Sequence, residues 1–531
     1  MPSAVSYFLP VTFTGTQSKL VADVCVYAAN AAGVMAAVQV ARSGNTVVLL
    51  NPGSEIGGMS TGGLSFTDLG NKAAIGGLAR DFYRRLGTHY GKDEEWNFEP
   101  HVALRILEEM LAESGIKVIH GQYVDSVKKR NSARGLRISE IRMTGGLVVA
   151  ASYFIDCSYE GDLMARAKVS FTIGRESNSE HGERFNGQQI HSTHQFSSPI
   201  DPFVVPGDRS SGLLPGIEEG TFIPGEGDRR VQTYNFRMCL TQRATIRRPF
   251  PKPDGYDRSK YELLSRVLNS GWKGVFDKFD RIQGSKVDTN NNGPVSTDYI
   301  GASAKWPDAQ YFARERIFQD HVVYQQGYHW FMCNDPRVPK AIREAYSKWG
   351  LARDEFIGNR DNWPHQLYVR EARRMVGEIV VTENHCTGVR IEEDIIGLGA
   401  YQMDSHHCRR LLLNGVLLNE GDVQIKLHRP YGIPLRSVLP KKSECTNLLV
   451  PVCLSATHIA LGSIRMEPVF MILAQSAAVV ACQALASDSA SVQDVNYSKL
   501  RARLESVGQR LSASEVREMT IDNEPHLPRD D

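Results

Sequence analysis

DVCVYAANAAGVMAAVQVARSGNTVVLLN, residues 23–51, decides the fold. An apolar run over residues 24–27 predicts a strand, residues 32–43 carry the small and apolar pattern of a helix, and residues 46–50 predict a second strand. That order is a β-α-β unit of the kind that cradles a dinucleotide at its first turn. The fingerprint of the turn, G-x-G-x-x-G, is eroded. Its glycine positions hold Ala28, Asn30 and Gly33, and Asn51 stands where an acidic residue should end the second strand.

Around this unit the chain has an ordinary globular composition. Its 531 residues are 42% hydrophobic and 23% charged with a net charge of +1, enough for two or three domains and without bias toward a polyanion. Nucleic-acid binding is therefore not expected. Nine cysteines between Cys25 and Cys482 include no C-x-x-C pair, which predicts reduced thiols rather than a disulfide framework or a zinc site. Residues 1–20 lack the basic and apolar regions of a secretory signal. Residues 469–486 contain Gln475, Ser476 and Gln483 and suit a buried helix better than a membrane span. A cytoplasmic protein without a membrane partner is expected, its oligomeric state open.

A Gly-rich loop follows at residues 53–70, then helical patterns at 77–87 and 100–114 and short alternating strands up to residue 157. Residues 171–440 are rich in Pro, Asn, Asp and aromatics, the texture of a region that carries binding surfaces. Strand, turn and a long Ala-rich helix return after residue 447. The expected fold is α/β: a Rossmann-like domain interrupted by a large mixed α+β domain. Its first part spans residues 20–168, the substrate domain 169–440 and its second part 441–490, before a helix and tail at 491–531.

Three stretches carry the chemistry. Gly57, Gly58, Gly62 and Gly63 let backbone approach a ligand where a side chain would block it. FIDCSYEGDLMARA, residues 154–167, brings Asp156, Gly161 and Asp162 to a helix start, where Asp162 alone could serve as an N-cap. SATHIALGSIRMEPVFMILAQSAAVVA, residues 455–481, places Gly462 and Pro468 before a long helix whose N-terminus attracts electron-rich groups.

Together these motifs resemble the FAD-dependent oxidoreductases of the glutathione-reductase-like two-domain type. More narrowly, the chain is similar to a subfamily with GGMxTGGL (57–64), DxSYEGDLMA (156–165), NWPHQLYVREARRMVG (362–377) and SxRMEPVxM (463–471). The resemblance runs from residue 23 to about 486. It implies that Gly57, Gly58 and Met59 line the flavin and its ribityl–pyrophosphate chain, and that Asp156, Gly161 and Asp162 mark re-entry into the cofactor domain. By the same resemblance Arg465, Met466 and Glu467 face the pyrimidine end of the ring. Ala28, Asn30, Gly33 and Asn51 would meet the pyrophosphate and ribose. Alanine at a Gly-only turn costs roughly 1–3 kcal/mol, and Asn51 for an acid about 1 kcal/mol. The sum, on the order of 2–5 kcal/mol, is roughly a 30- to 5,000-fold loss of affinity.

Two readings follow. In the first, FAD is held non-covalently and loosely, and an oxidase or dehydrogenase removes hydride from a small organic substrate, a specialised metabolite or a carbohydrate. Electrons then pass to O2 or another acceptor. In the second, the flavoprotein scaffold has lost FAD and catalyses an isomerisation, cyclisation or elimination.

Candidate catalytic residues lie in the middle region. His365 follows Trp363-Pro364 in a turn, and its near-neutral pKa suits a proton acceptor. If residues 366–375 are helical, Arg370 and Arg373 share a face, with Tyr368 nearby as a substrate contact. MDSHHCRR supplies Asp404, His406 and His407. Neighbouring histidines in an extended segment point to opposite sides, so one faces the pocket as a base, oriented by Asp404, and no metal is expected. Tyr234, Arg237 and His458 are further candidates for substrate contact, each equally consistent with a structural role.

Overall fold

The computed structural model describes residues 4–10, 18–132, 135–487 and 491–516. Part of the leader reading at residues 1–20 and the tail beyond 516 fall outside them. β1 (Lys19–Tyr27), α1 (Ala31–Arg42) and β2 (Val47–Leu50) form the expected unit, with β1 and β2 parallel from Val24↔Val47 to Tyr27↔Leu50. After α2 (Gly77–His89) and α3 (Pro100–Glu113), the short β3 (Val118–Ile119) pairs with β2. β4 (Val124–Ser132), β5 (Gly135–Met143) and β6 (Val148–Asp156) form the anticipated meander. β6 also lies parallel to β1, so the sheet runs β3-β2-β1-β6-β5-β4.

The chain returns to this sheet much later. Leu448–Leu449 pairs parallel with Phe154 and Ile155 of β6. The helix Glu467–Ala486 then packs on α1. Both helices are apolar nearly all round, the pattern of an element covered on every side. Among the described residues Glu467–Ala486 is the helix long and apolar enough to cross a membrane, and it is buried within the fold.

A second core, with Phe236, Trp306, Phe331 and Trp363, lies between an antiparallel sheet and the 24-residue helix Tyr311–Asn334. That sheet orders Arg247–Arg248, Gly350–Ala352, Met238–Thr241, Lys286–Thr289 and Phe279–Ile282. Val381, Cys386, Ile395 and Leu435, from the middle of the chain, pack in the first core instead.

Two local expectations are corrected. Residues 366–373 are not helical, and only Arg374–Met375 forms a strand, against Phe171–Thr172. The segment threads between the two cores and is almost wholly buried, with each arginine drawn to a different partner, so no helical face exists for them to share. Residues 231–241 alternate like a core strand, but only Met238–Thr241 forms one; residues 231–237 are buried but irregular, because the Tyr234, Phe236 and Tyr368 amides bond to Ser303, Gln325 and Asn235 rather than to a ladder.

Candidate active site

The eroded turn is closed on itself. Ala28 keeps a left-handed φ of 76°, the conformation a glycine would take. The Ala29 amide donates to Asn51 Oδ1 at 3.1 Å, and Asn51 Nδ2 donates to the Gly53 and Glu55 carbonyls at 3.0 and 2.8 Å. Asn30 caps α1 by accepting from the Gly33 amide at 2.9 Å, and its Nδ2 donates to the Cys157 carbonyl at 2.6 Å. The Gly57 amide donates to the Ala29 carbonyl at 2.8 Å. Gly33 keeps its packing role, since a Cβ there would lie 3.0 Å from the Ala28 carbonyl carbon. One of the helix-terminal donors, the Gly33 amide, is thus satisfied by the chain's own side chain.

The ring-side motifs meet in the same way. Tyr159 Oη accepts from the Met59 amide at 3.0 Å and donates to Glu467 Oε1 at 2.7 Å, while Ser60 Oγ donates to Glu467 Oε2 at 3.1 Å. Gly57, Gly58, Met59, Met466 and Glu467 are buried, and burial pushes the Glu467 carboxyl up to about 7. Asp156 accepts from the Ser158 and Met164 amides, and Gly161, with φ 65°, precedes the short helix α4 (Asp162–Arg166). Asp162 is the first residue of that helix rather than its cap, and pairs with Arg314 and Arg373 at 2.8 Å each. As they stand, these residues do not fit a dinucleotide: the Gly33 and Met59 amides and the Glu467 carboxyl are already bonded to Asn30 and Tyr159.

Acid–base groups converge elsewhere. His406 Nδ1 lies 2.8 Å from Asp298 Oδ2, and Arg370 Nη2 lies 3.1 Å from Asp298 Oδ1. On the other side of the ring, His406 Nε2 is 3.6 Å from Asp404 Oδ2, which Arg465 Nη2 contacts at 2.6 Å. The row therefore reads Arg370–Asp298–His406–Asp404–Arg465. Tyr368 sits inside it: its hydroxyl accepts from Arg465 Nη1 at 2.9 Å, and the Arg370 guanidinium lies 4.7 Å above its ring. Asp68 flanks the row, 3.5 Å from the Tyr401 hydroxyl and 3.8 Å from Arg237 Nη1.

The row reaches solvent at its middle and not at its ends. The side chains of Asp404 and His406 are each 12% exposed and that of Asp68 is 26% exposed, whereas Arg370 and Arg465 are buried. Burial, reinforced by Arg370 and Arg465, holds the His406 imidazole well below its ordinary pKa and therefore neutral. Burial also raises Asp404, against the pull of Arg465. Three buried guanidinium nitrogens here, Arg237 Nη1, Arg370 Nε and Arg465 Nε, have no hydrogen-bond partner among the described residues. Unpaired charged donors of this kind are what a developing oxyanion needs.

The other candidates are placed apart from this row. His365 lies beside the Gly-rich loop, Nε2 3.5 Å from Thr61 Oγ1, and burial lowers its pKa to about 4. His407 turns away from His406 and packs near His194, with burial and then His194 keeping it neutral. His458 is held by Glu371 at 2.8 Å and Ser405 at 3.0 Å, and the buried Tyr234 donates to the Glu371 carbonyl. Arg237 is the exception: its Nη1 faces Asp68 at the flank of the row, while its Nε and Nη2 form a two-pronged pair with Asp288 at 2.9 and 2.8 Å. Asp298, Asp68 and Tyr401 were not foreseen. Asp298 belongs to TDYIG, residues 297–301, and Asp68 to the Gly-rich loop at residues 53–70, stretches whose acids could have been singled out; Tyr401 carries no local signal. Glu99, His101 and Glu355 gather closely enough to suggest a metal, but Lys286 Nζ already supplies the cation, 2.8 Å from Glu99 and 2.6 Å from Glu355.

A family model described as FAD dependent oxidoreductase matches residues 23–504. No curated protein matches the chain. Among solved structures, THI4 from Thermovibrio ammonificans is 18% identical, covering 29% of this chain and 66% of that one, with a TM-score of 0.23. OxyS anhydrotetracycline hydroxylase from Streptomyces rimosus is 12% identical over 33% of this chain and 41% of that one, TM-score 0.24. A 3-ketosteroid-delta4-(5alpha)-dehydrogenase from Rhodococcus jostii RHA1 is 16% identical over 30% and 51%, TM-score 0.21.

Proposed function

The chain belongs to the FAD-dependent oxidoreductase family, and from that premise we propose that it is an enzyme which uses the family scaffold for proton transfer on a small, uncharged, carbonyl-bearing substrate. The observation that carries this reading is the row Arg370–Asp298–His406–Asp404–Arg465 with its partly exposed middle, His406 and Asp404. Asp298 orients the imidazole through Nδ1, and Nε2 lies 3.6 Å from Asp404 Oδ2. The imidazole between Asp298 and Asp404 is the group placed to take a proton from carbon next to the carbonyl, with the two carboxylates offsetting the charge it gains. The free donors of Arg465 and Arg237 would stabilise the resulting enolate oxygen. The imidazolium so formed, held beside the Asp404 carboxylate, returns that proton to a second atom, or gives it to a departing hydroxyl, which leaves as water. The outcome is an isomerisation, a cyclisation or an elimination.

The substrate class follows from charge. Arg237, Arg370 and Arg465 face Asp68, Asp288, Asp298 and Asp404, so an anionic ligand would add to a surplus of carboxylates. Alternating donors and acceptors suit a polyhydroxylated or otherwise polar neutral molecule. Family membership implies FAD, which supplies hydride acceptance when bound. That favours hydride removal with O2 or another acceptor as the second reading, but no step is routed through the flavin because the groups of the turn and ring positions are already bonded within the chain.

Incubating the enzyme in D2O with a panel of hydroxy-ketones and ketoses, without added flavin, tests the proposal. NMR should show deuterium entering a carbon next to a carbonyl for at least one of them. Asp404→Asn and His406→Asn should reduce that rate by about 10²–10⁴-fold. Equal exchange in wild type and both variants, for every substrate turned over, would sink it.

A further inference from the structure

We propose that Asn30, Asn51 and Tyr159 have taken over the contacts of the dinucleotide, so that the chain folds and stays folded without FAD. The fold provides three places where a dinucleotide would be held: the N-terminus of α1 for the pyrophosphate, the end of β2 for the ribose, and the space between the Gly-rich loop and the start of Glu467–Ala486 for the ring. In each place a side chain of this protein makes the bonds.

At α1, the Asn30 amide serves both as cap acceptor for Gly33 and as donor to Cys157. A glycine there would leave both bonds unmade. At the end of β2, Asn51 does what an acid could not. Its oxygen accepts from Ala29 while its nitrogen donates to two carbonyls of the loop that follows, fastening residues 53–57 across the turn. A carboxylate has no donor for those carbonyls. At the ring position, one phenolic oxygen spans the distance from the Met59 amide to Glu467, and Ser60 touches Glu467 directly. An aromatic ring between those groups needs about 7 Å, twice a van der Waals contact. The three replacements are therefore consistent with one another. Each satisfies backbone or carboxyl groups that a bound cofactor would otherwise contact.

This inference shares the closed turn with the proposed function but does not depend on the acid–base row, and the two fail separately. The flavin measurements below do not touch Asp404 or His406, and deuterium exchange does not report flavin binding. The full chain is purified and its visible spectrum recorded. FAD is then titrated while flavin fluorescence and the melting midpoint are followed. The expected result is a colourless protein, unquenched flavin and an unmoved midpoint. A stoichiometric flavin spectrum as purified, or a midpoint that climbs with FAD, would overturn the proposal. The triple variant Asn30→Gly/Asn51→Glu/Tyr159→Ala should melt lower than wild type and regain part of that loss when FAD is added. A triple variant as stable as wild type and indifferent to FAD would show that these side chains are not the plug. Should the triple variant not fold, Asn30→Gly alone decides their role: a lowered midpoint supports it, and an unchanged midpoint overturns it.

Discussion

Glu467 combines two roles that pull in opposite directions. It starts a helix, where negative charge is favoured, yet burial lifts its carboxyl from the ordinary 4.5 to about 7, and it is bonded by two hydroxyls. Between those values the folded state holds a proton that the unfolded chain has released. Raising the pH through this window therefore lowers stability, by on the order of 3 kcal/mol for this group. Melting curves at pH values either side of the window should show that loss in wild type and not in Glu467→Gln. Ala28 is the second informative residue. Its φ of 76° is left-handed, a region in which a Cβ is strained. Ala28→Gly should raise the free energy of unfolding by about 1 kcal/mol, read by denaturant titration, because relief of strain outweighs the added freedom of the unfolded chain.

At the scale of elements, what was legible in the sequence depended on local pattern. The β-α-β unit, α2, α3 and the short alternating strands announce themselves by periodicity; α1, β2, α2 and α3 fall within two residues of their expected bounds, while β1 begins five residues earlier. Residues 366–373 did not, because the spacing of Arg370, Arg373 and Arg374 suits a helix, while the partners that straighten the segment lie far away: Thr233, Glu160 and Ala456. The candidate site was legible only in part for the same reason. His406 and Asp404 stand side by side in the sequence, but the acid that orients the imidazole is 108 residues away, in a loop of the second core. His365 looked equally apt as a base until its neighbours were known. Proximity in space to Asp298, not residue type, separates the two histidines. Tyr159 was within a recognised motif, and nothing local revealed that its hydroxyl joins Met59 to Glu467.

For the whole molecule, Asp162 ties the sheet-bearing part to the second core. It receives Arg314 from the long helix Tyr311–Asn334 and Arg373 from the buried segment, all three with little exposure. Asp162→Asn would leave two buried guanidiniums with half their compensation, and unfolding should become easier by about 3–5 kcal/mol, measured as a shift of the urea midpoint at unchanged slope. The pairing of α1 with Glu467–Ala486 has a further consequence for biogenesis. Gln39 of α1 bonds to Gln475, 436 positions later. At about 5–20 residues per second, a ribosome takes roughly 20–90 s to supply that partner. Throughout that interval the nascent Ala- and Val-rich helix has no permanent cover, and translation that stops short of residue 467 leaves it stranded, a client for holdase chaperones and a nucleus for aggregation.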